Sequence, residues 1–471
     1  MHKCYLKTLM YLVYIFPIIL YKFHFSDLFI KSEKLSDCAI HAKSLRKIAL
    51  VRKVKNMNEN SFSSVAATES NPNWKKLTER KGSLYESENE VRSPFARDYT
   101  RILHSMAYRR LKHKTQVFFN IDNDHICTRM EHVSHVESVS YSIAKYLGLN
   151  TELTKAIAIG HDLGHAPFGH HGESVIKKLS NKYLKTDFWH EQNGLRFVDD
   201  IELLEDHYKN SLNLNLTYAV RDGIISHCGE IDDNCIKPRN EFIDLNEFTE
   251  PGQFQSVTWE GCVVKISDKI AYIGRDIEDA ISLKFLDDVR MESLRDMARV
   301  NDAHAINTTV IMHNLINDIC DNSTPENGIK LSTKFLNQLN EILSFNKQYI
   351  YSNKRFEPYK KYAEMVITQL FKTLLDAYDK KLVWENLDHL GEYYPVLVES
   401  FEKWLARYCD IESIPIPKKI LREKAVVCKN RKIYGNLSEK KKYIQAIIDY
   451  ISGMTDRFAI QLFNELLSYQ Y

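Results

Sequence analysis

Apolar residues along this chain recur every three to four positions, a spacing that predicts helices over most of its length. From Ser93 onward, Ile102, Leu103, Met106, Tyr108 and Leu111 follow that period. Val133, Val136, Val139, Ile143 and Leu147 repeat it before Gly148, where a helix end is expected. Thr151 to Leu163 reads as the next helix, with Thr151 as N-cap, Glu152 in the first turn, and Gly164, Pro167 and Gly169 beyond its end. Val257 to Leu286 reads as one long helix that sets Asp268, Tyr272 and Asp276 four residues apart on a single face. Gln116 to Cys127 is β-branched and aromatic around an Asp122-Asn123-Asp124 turn, which predicts a short hairpin. After residue 300 the helical spacing continues without a glycine-rich linker. The fold expected is all-α, with one small β-hairpin and a helical C-terminal region.

Four stretches follow from this pattern: a separate N-terminal extension over 1–56, a mobile lead-in over 57–90, a helical core over 91–300, and a helical region over 301–471 that packs on the core. The extension contains an apolar run from Thr8 to Tyr21 flanked by Lys7 and Lys22. It reads as a membrane anchor, as a secretory signal without a small-residue cleavage site, or as an upstream segment outside the working protein, which would then start at Met57. The lead-in is rich in Ser, Asn and Glu, as mobile segments are. A formal net charge of +2 over 471 residues argues against a wholly basic nucleic-acid-binding face. The nine cysteines are scattered without a CxxC pair, which points to reduced thiols and a cytoplasmic setting.

The chemistry concentrates at GHDLGHAPFGHHG (160–172), which places His161, Asp162, His165, His170 and His171 in thirteen residues. An imidazole next to a carboxylate is half of a mixed nitrogen and oxygen ligand set for a divalent cation that activates water. His132 in RMEH and Asp268 in SDKIAY supply the other half. Two neutral imidazoles and two carboxylates make the site formally neutral once a divalent cation binds, so it stays attractive to an anionic substrate.

The order His, His-Asp, Asp resembles the HD phosphohydrolase superfamily, and the flanking blocks resemble its deoxynucleoside triphosphate triphosphohydrolase branch, the dGTPase-like family. Those blocks are RILHSMAYRRLKHKTQVF (101–118), TRMEHVSHVESVSYSIAKYLGL (128–149), the 160–172 stretch, WHEQNGLRF (189–197), SDKIAYIGRDIEDA (267–280) and ISGMTDRFA (451–459). The resemblance implies the HD-domain helical fold and a cation, manganese, magnesium, cobalt or iron, on His132, His161, Asp162 and Asp268. It also implies hydrolysis of a deoxynucleoside triphosphate to deoxynucleoside and inorganic triphosphate, which would limit deoxynucleotide pools.

By the same resemblance, Arg129 and Lys269 meet the phosphates, and His165 and His170 point at them. His190 stands beside the scissile bond, oriented by Glu173, which would raise its proton affinity and fix its tautomer. Asp276 and Gln116 hydrogen-bond the 3′-hydroxyl, and the Tyr272 ring packs where a 2′-hydroxyl would need room. Arg355 is a further candidate phosphate contact. His135 stands where many members have Glu, and with His227 it opens the question of a second metal.

Lys418 to Lys442 carries ten Lys or Arg against two Glu. Such a run is a solvated face or an interface, and the family implies homo-oligomers (dimer-based, tetramer or hexamer) and nucleotide or single-stranded DNA effectors. Two other functions fit the ligand set: an HD-type phosphodiesterase or hydrolase of another nucleotide, and a nucleotide sensor without turnover.

Overall fold

The computed structural model describes residues 62–84, 89–119, 123–228, 234–299, 308–410 and 419–468. The extension over 1–56, with its apolar run, and Lys418 lie outside the described residues. Those described form a helical assembly with one two-stranded antiparallel sheet. Among them, no helix is long and apolar enough to cross a membrane, and seven cysteines are free.

Helix α1 (Pro94–His104) starts at Ser93, whose hydroxyl accepts from the Ala96 amide at 3.1 Å. Helix α2 (Arg129–Leu147) opens with the Glu131 carboxylate accepting from the Thr128 amide at 2.7 Å and closes at Gly148 in the left-handed conformation, φ 81°. Helix α3 (Thr151–Gly160) is capped by Asn150 rather than Thr151; the Asn150 side-chain oxygen accepts from Glu152 and Leu153. It ends at Gly160, short of the expected Leu163, so His161 to Phe168 is a turn segment and His165 does not continue the helical face of His161.

After α4 (Gly169–Tyr183) and α5 (His190–Arg196), strands β1 (Leu203–Glu205) and β2 (Ser211–Asn213) pair with Leu204 opposite Leu212. This is the hairpin. At the expected position, Gln116 to Cys127, the described residues form a loop closed by one isolated bridge between Thr115 and Thr128. The β-branched and aromatic side chains there serve packing instead: Phe118 meets Phe285 and Phe119 stacks on Tyr359.

Helix α6 (Tyr218–Ile225) precedes α7 (Trp259–Ser282), the long helix that carries Asp268. It divides two apolar cores. Val264 and Ala271 pack into one with α1, α3 and the C-terminal helices, whereas Val263, Ile266, Ile270, Ile273 and Ile277 pack into the other with residues 311–356. A helix buried on two sides is held in place by both, and α2 packs against it and α3. Near the C-terminus, α8 (Glu357–Asp376), α9 (Lys440–Ser452) and α10 (Asp456–Leu467) cover the core, α8 lying against α4.

The expected lead-in is packed from its first described residue. Phe62, Ala66, Ala67 and Leu77 are buried, and Phe62 meets Trp259 edge to face at 4.9 Å. The buried Glu260 carboxylate accepts from the Ala67 amide at 3.0 Å, and the Asn150 side chain donates to the Ala67 carbonyl at 2.6 Å. Its polar composition concealed four small or apolar anchors.

Candidate active site

Three elements deliver the expected ligands to one place. His132 lies one turn into α2, His161 and Asp162 follow the end of α3, and Asp268 projects from the middle of α7. His132 Nε2 is 2.9 Å from Asp268 Oδ1, and His161 Nε2 is 3.8 Å from the same oxygen. Asp162 lies 3.6 Å from His161 Nε2 and 3.9 Å from His132 Nε2. Such separations match neighbouring ligands around a single ion.

The donor set fits a cation by its own chemistry. The Ala158 carbonyl accepts the His161 Nδ1 proton at 2.6 Å, which leaves Nε2 as a lone pair, and that atom is buried without any hydrogen-bond partner. Burial pushes the His161 pKa down to about 4, so the ring is neutral, as a ligand must be. Burial works to raise Asp268, but the hydrogen bond from His132 together with the charges of His132, His161 and His227 outweighs it and holds the carboxyl at about 2. Burial is likewise overcome at Asp162, where His165 and Arg129 keep the carboxylate well below its usual range. The arrangement suits a divalent ion on His132, His161 and Asp268, with Asp162 at its edge.

Asp162 also organises the next layer. Its oxygens accept from Arg129 Nη1 and His165 Nε2, each at 2.9 Å. Arg129 is 1% exposed, and its Nε and Nη2 have no partner. A buried guanidinium with idle donors is costly unless an anion meets it, so this face is built for a negative group. Gly164 permits the close approach of α5: a Cβ there would lie 2.1 Å from both the Gly194 nitrogen and the His190 carbonyl. The His165 ring accordingly stacks on His190, centroids 3.8 Å apart.

His190 begins α5, and Glu173 lies in α4. The Glu173 carboxylate accepts from the His190 amide at 2.9 Å and lies 3.2 Å from Nδ1, fixing the ring with Nε2 3.5 Å from the Glu191 carboxylate. Burial opposes protonation of His190, yet the carboxylates of Glu191 and Glu173 prevail and lift its pKa to about 9. His170 is the outermost of the group, 70% exposed, with Nδ1 3.4 Å from Glu173.

A cavity of about 340 Å³ joins these groups to a second set. Arg129, His132, Asp162, His165, His190 and Asp268 line one part, and Gln116, Tyr272, Asp276 and Tyr351 also line it. Asp276 accepts from the Tyr351 hydroxyl at 2.6 Å, and burial raises its pKa to about 7. Gln116 keeps a buried, unpartnered Oε1.

Lys269 is buried but is not among the residues lining the cavity. Arg355 is used elsewhere: it donates to the Leu283 and Lys284 carbonyls just past α7 and covers the Phe285 ring at 4.0 Å. It caps a helix end. His135 joins no ligand group among the described residues, whereas His227 lines the cavity with its ring centroid 5.0 Å from that of His161.

Sequence reasoning missed Glu191 and Tyr351. Glu191 stood inside the WHEQ block, and its burial at 1% exposure is the signal that sets it apart. Tyr351 lies in a region without a motif, and only the fold brings it to Asp276.

Comparison with known proteins agrees with this geometry. Residues 129–273 match the HD domain, and residues 431–465 match a phosphohydrolase-associated domain. A deoxyguanosinetriphosphate triphosphohydrolase-like protein of Caldanaerobacter subterraneus is 33% identical over 394 residues, covering 83% of this chain and 90% of the relative. Proteins of the same description from Clostridium tetani and Pelagibacter ubique are 31% and 30% identical, over 90% and 82% of this chain and 97% of each relative. With His132, His161 and Asp268 gathered in one cluster and its likeness sustained over most of its length, the chain belongs to the deoxyguanosinetriphosphate triphosphohydrolase-like family of HD-domain phosphohydrolases.

Proposed function

We propose that this protein hydrolyses deoxynucleoside triphosphates, dGTP or a broader set, to deoxynucleoside and inorganic triphosphate, and so limits deoxynucleotide pools in the cytoplasm. One observation carries the reading: a single cavity is lined by His132, Asp162, Asp268 and a Glu173-oriented His190 together with Gln116, Tyr272, Asp276 and Tyr351.

When bound on His132, His161, Asp162 and Asp268, a divalent cation such as manganese, magnesium, cobalt or iron supplies charge neutralisation at the phosphates and polarises water. The idle donors of Arg129 take phosphate oxygens, and Lys269 adds positive charge from outside the lining. Water attacks the α-phosphorus and gives up a proton to solvent, the bond from phosphorus to the 5′-oxygen breaks, and His190 gives its Nε2 proton to the departing oxygen and is reprotonated from solvent. His165 holds the stack beneath His190, and His170 shares Glu173 at the outer rim. Asp276 and Gln116 hold the 3′-hydroxyl, and the Tyr272 ring closes the space a 2′-hydroxyl would need.

Incubation with each deoxynucleoside triphosphate and manganese or magnesium should release inorganic triphosphate and the deoxynucleoside, read by anion-exchange chromatography. Pyrophosphate or single phosphates as products would instead indicate another nucleotide hydrolase, and binding without product a sensor.

A second expectation concerns pH. His190 acts as an acid only while protonated, so activity should fall as pH rises through the pKa that the two carboxylates hold up. Removing one of them in Glu173→Gln weakens that support, and the alkaline limb of the kcat profile should move to lower pH. A limb that stays in place would separate His190 from proton donation.

A further inference from the structure

One block from the sequence, ISGMTDRFA at 451–459, contributes no residue to the cation ligands or to the cavity lining, yet its Asp456 bonds to the amide of Phe168, a residue of that lining. Asp456 is the first residue of α10 and is 7% exposed. One carboxylate oxygen accepts from the Thr115 amide at 2.9 Å, the other from the Phe168 amide at 2.8 Å. Thr115 immediately precedes Gln116. Phe168 stands between His165 and His170 and has a left-handed backbone, φ 66°, that residues other than glycine rarely adopt.

Other bonds converge on the same two peptides. The Phe168 carbonyl accepts from the Tyr359 hydroxyl at 2.8 Å, so this unusual residue is gripped at its amide and its carbonyl. Lys114, 2% exposed, donates its ammonium to the His165 carbonyl and, at 3.1 Å, to the Ser452 carbonyl at the end of α9. The Lys114 carbonyl in turn accepts from the Arg129 amide at 3.2 Å. A single acidic side chain with two acceptors thus joins the loop before Gln116 to the turn that carries His165 and leads into α4 and His170.

We propose that Asp456 is a positioning residue for the substrate end of the cavity, fixing from the phosphohydrolase-associated region the peptide frames that present Gln116 on one side and His165 and His170 on the other. The consequence for turnover rests on the function proposed above; the brace itself does not. Asparagine at 456 keeps one acceptor and turns an amide donor toward a backbone N–H, so one of the two bonds is replaced by a clash of donors. Alanine keeps neither. The HD ligands are untouched by either change.

The test uses the full chain loaded with manganese and compares wild type with Asp456→Asn, Asp456→Ala and Tyr359→Phe. Three quantities are read: metal content, steady-state dGTP hydrolysis, and amide hydrogen exchange by mass spectrometry. Asp456→Asn should keep its metal, lose at least tenfold in kcat/KM with KM raised, and exchange faster in peptides spanning 114–119 and 164–172. Peptides from α2 and α7 should exchange as in wild type, and Asp456→Ala should lose more in both readouts. Tyr359→Phe should loosen 164–172 alone with a kinetic loss of about threefold. A kcat/KM for Asp456→Asn within twofold of wild type, loss of its metal, or exchange that rises evenly along the chain would each overturn the proposal. Should the 456 variants not fold, Tyr359→Phe decides, and unchanged exchange at 164–172 counts against the brace. A wild type inert toward every deoxynucleoside triphosphate would refute the function, whereas the exchange measurements would still judge the brace.

Discussion

Asp162→Ala is expected to reduce turnover to background and to lower folding stability by roughly 3 kcal/mol, the range for removing one partner of a buried ion pair. Two roles meet in that carboxylate. It lies within 4 Å of two cation ligands, and it is the partner of Arg129, whose side chain is 1% exposed. Without it Arg129 loses the one ion pair it makes among the described residues, while its Nε and Nη2 already lack hydrogen-bond partners. Asp268→Ala separates the roles: its carboxylate is 17% exposed and pairs with His132, so turnover should vanish with a smaller stability loss. Metal content by mass spectrometry, urea unfolding and product release measure the pair of variants. Undiminished hydrolysis in Asp162→Ala would remove the cation from the chemistry, and equal stability in both would remove the structural role assigned to the Arg129 pair.

His190→Asn should lower kcat by about 10² to 10⁴, the usual contribution of a positioned proton donor, with metal content unchanged. The diagnostic comparison is between leaving groups. A nucleoside 5′-oxygen departs poorly without a proton, whereas a nitrophenolate does not need one. The variant should therefore lose little against a nitrophenyl ester that wild type accepts. An equal loss on both substrates would mean that His190 places the phosphates rather than protonating the leaving oxygen.

The clustering of His132, His161 and Asp268 as candidate ligands was legible in the sequence because ligand chemistry admits few residue types, and His161-Asp162 stand side by side. The helices bearing His132 and Asp268 were legible through their apolar period, since burial of one face repeats with the helix turn. What failed was local. Gln116 to Cys127 has strand-like composition, but its aromatic residues answer to Phe285 and Tyr359, and no sequence window shows those partners. Arg355 has the right charge for a phosphate and a different employer in the Leu283 and Lys284 carbonyls. The Asn150 cap displaced Thr151 by one residue, because its side-chain oxygen reaches the Glu152 and Leu153 amides.

The site is distributed unevenly in synthesis order. Every proposed cation ligand has been made once Asp268 is added, yet Lys114 and Thr115 find their C-terminal partners 338 and 341 positions later, at Ser452 and Asp456. A chain emerging from the ribosome therefore possesses its ligands long before the loops beside Gln116 and His165 acquire their final anchors. Maturation of the cavity should come late, when Ser452 and Asp456 dock onto these loops.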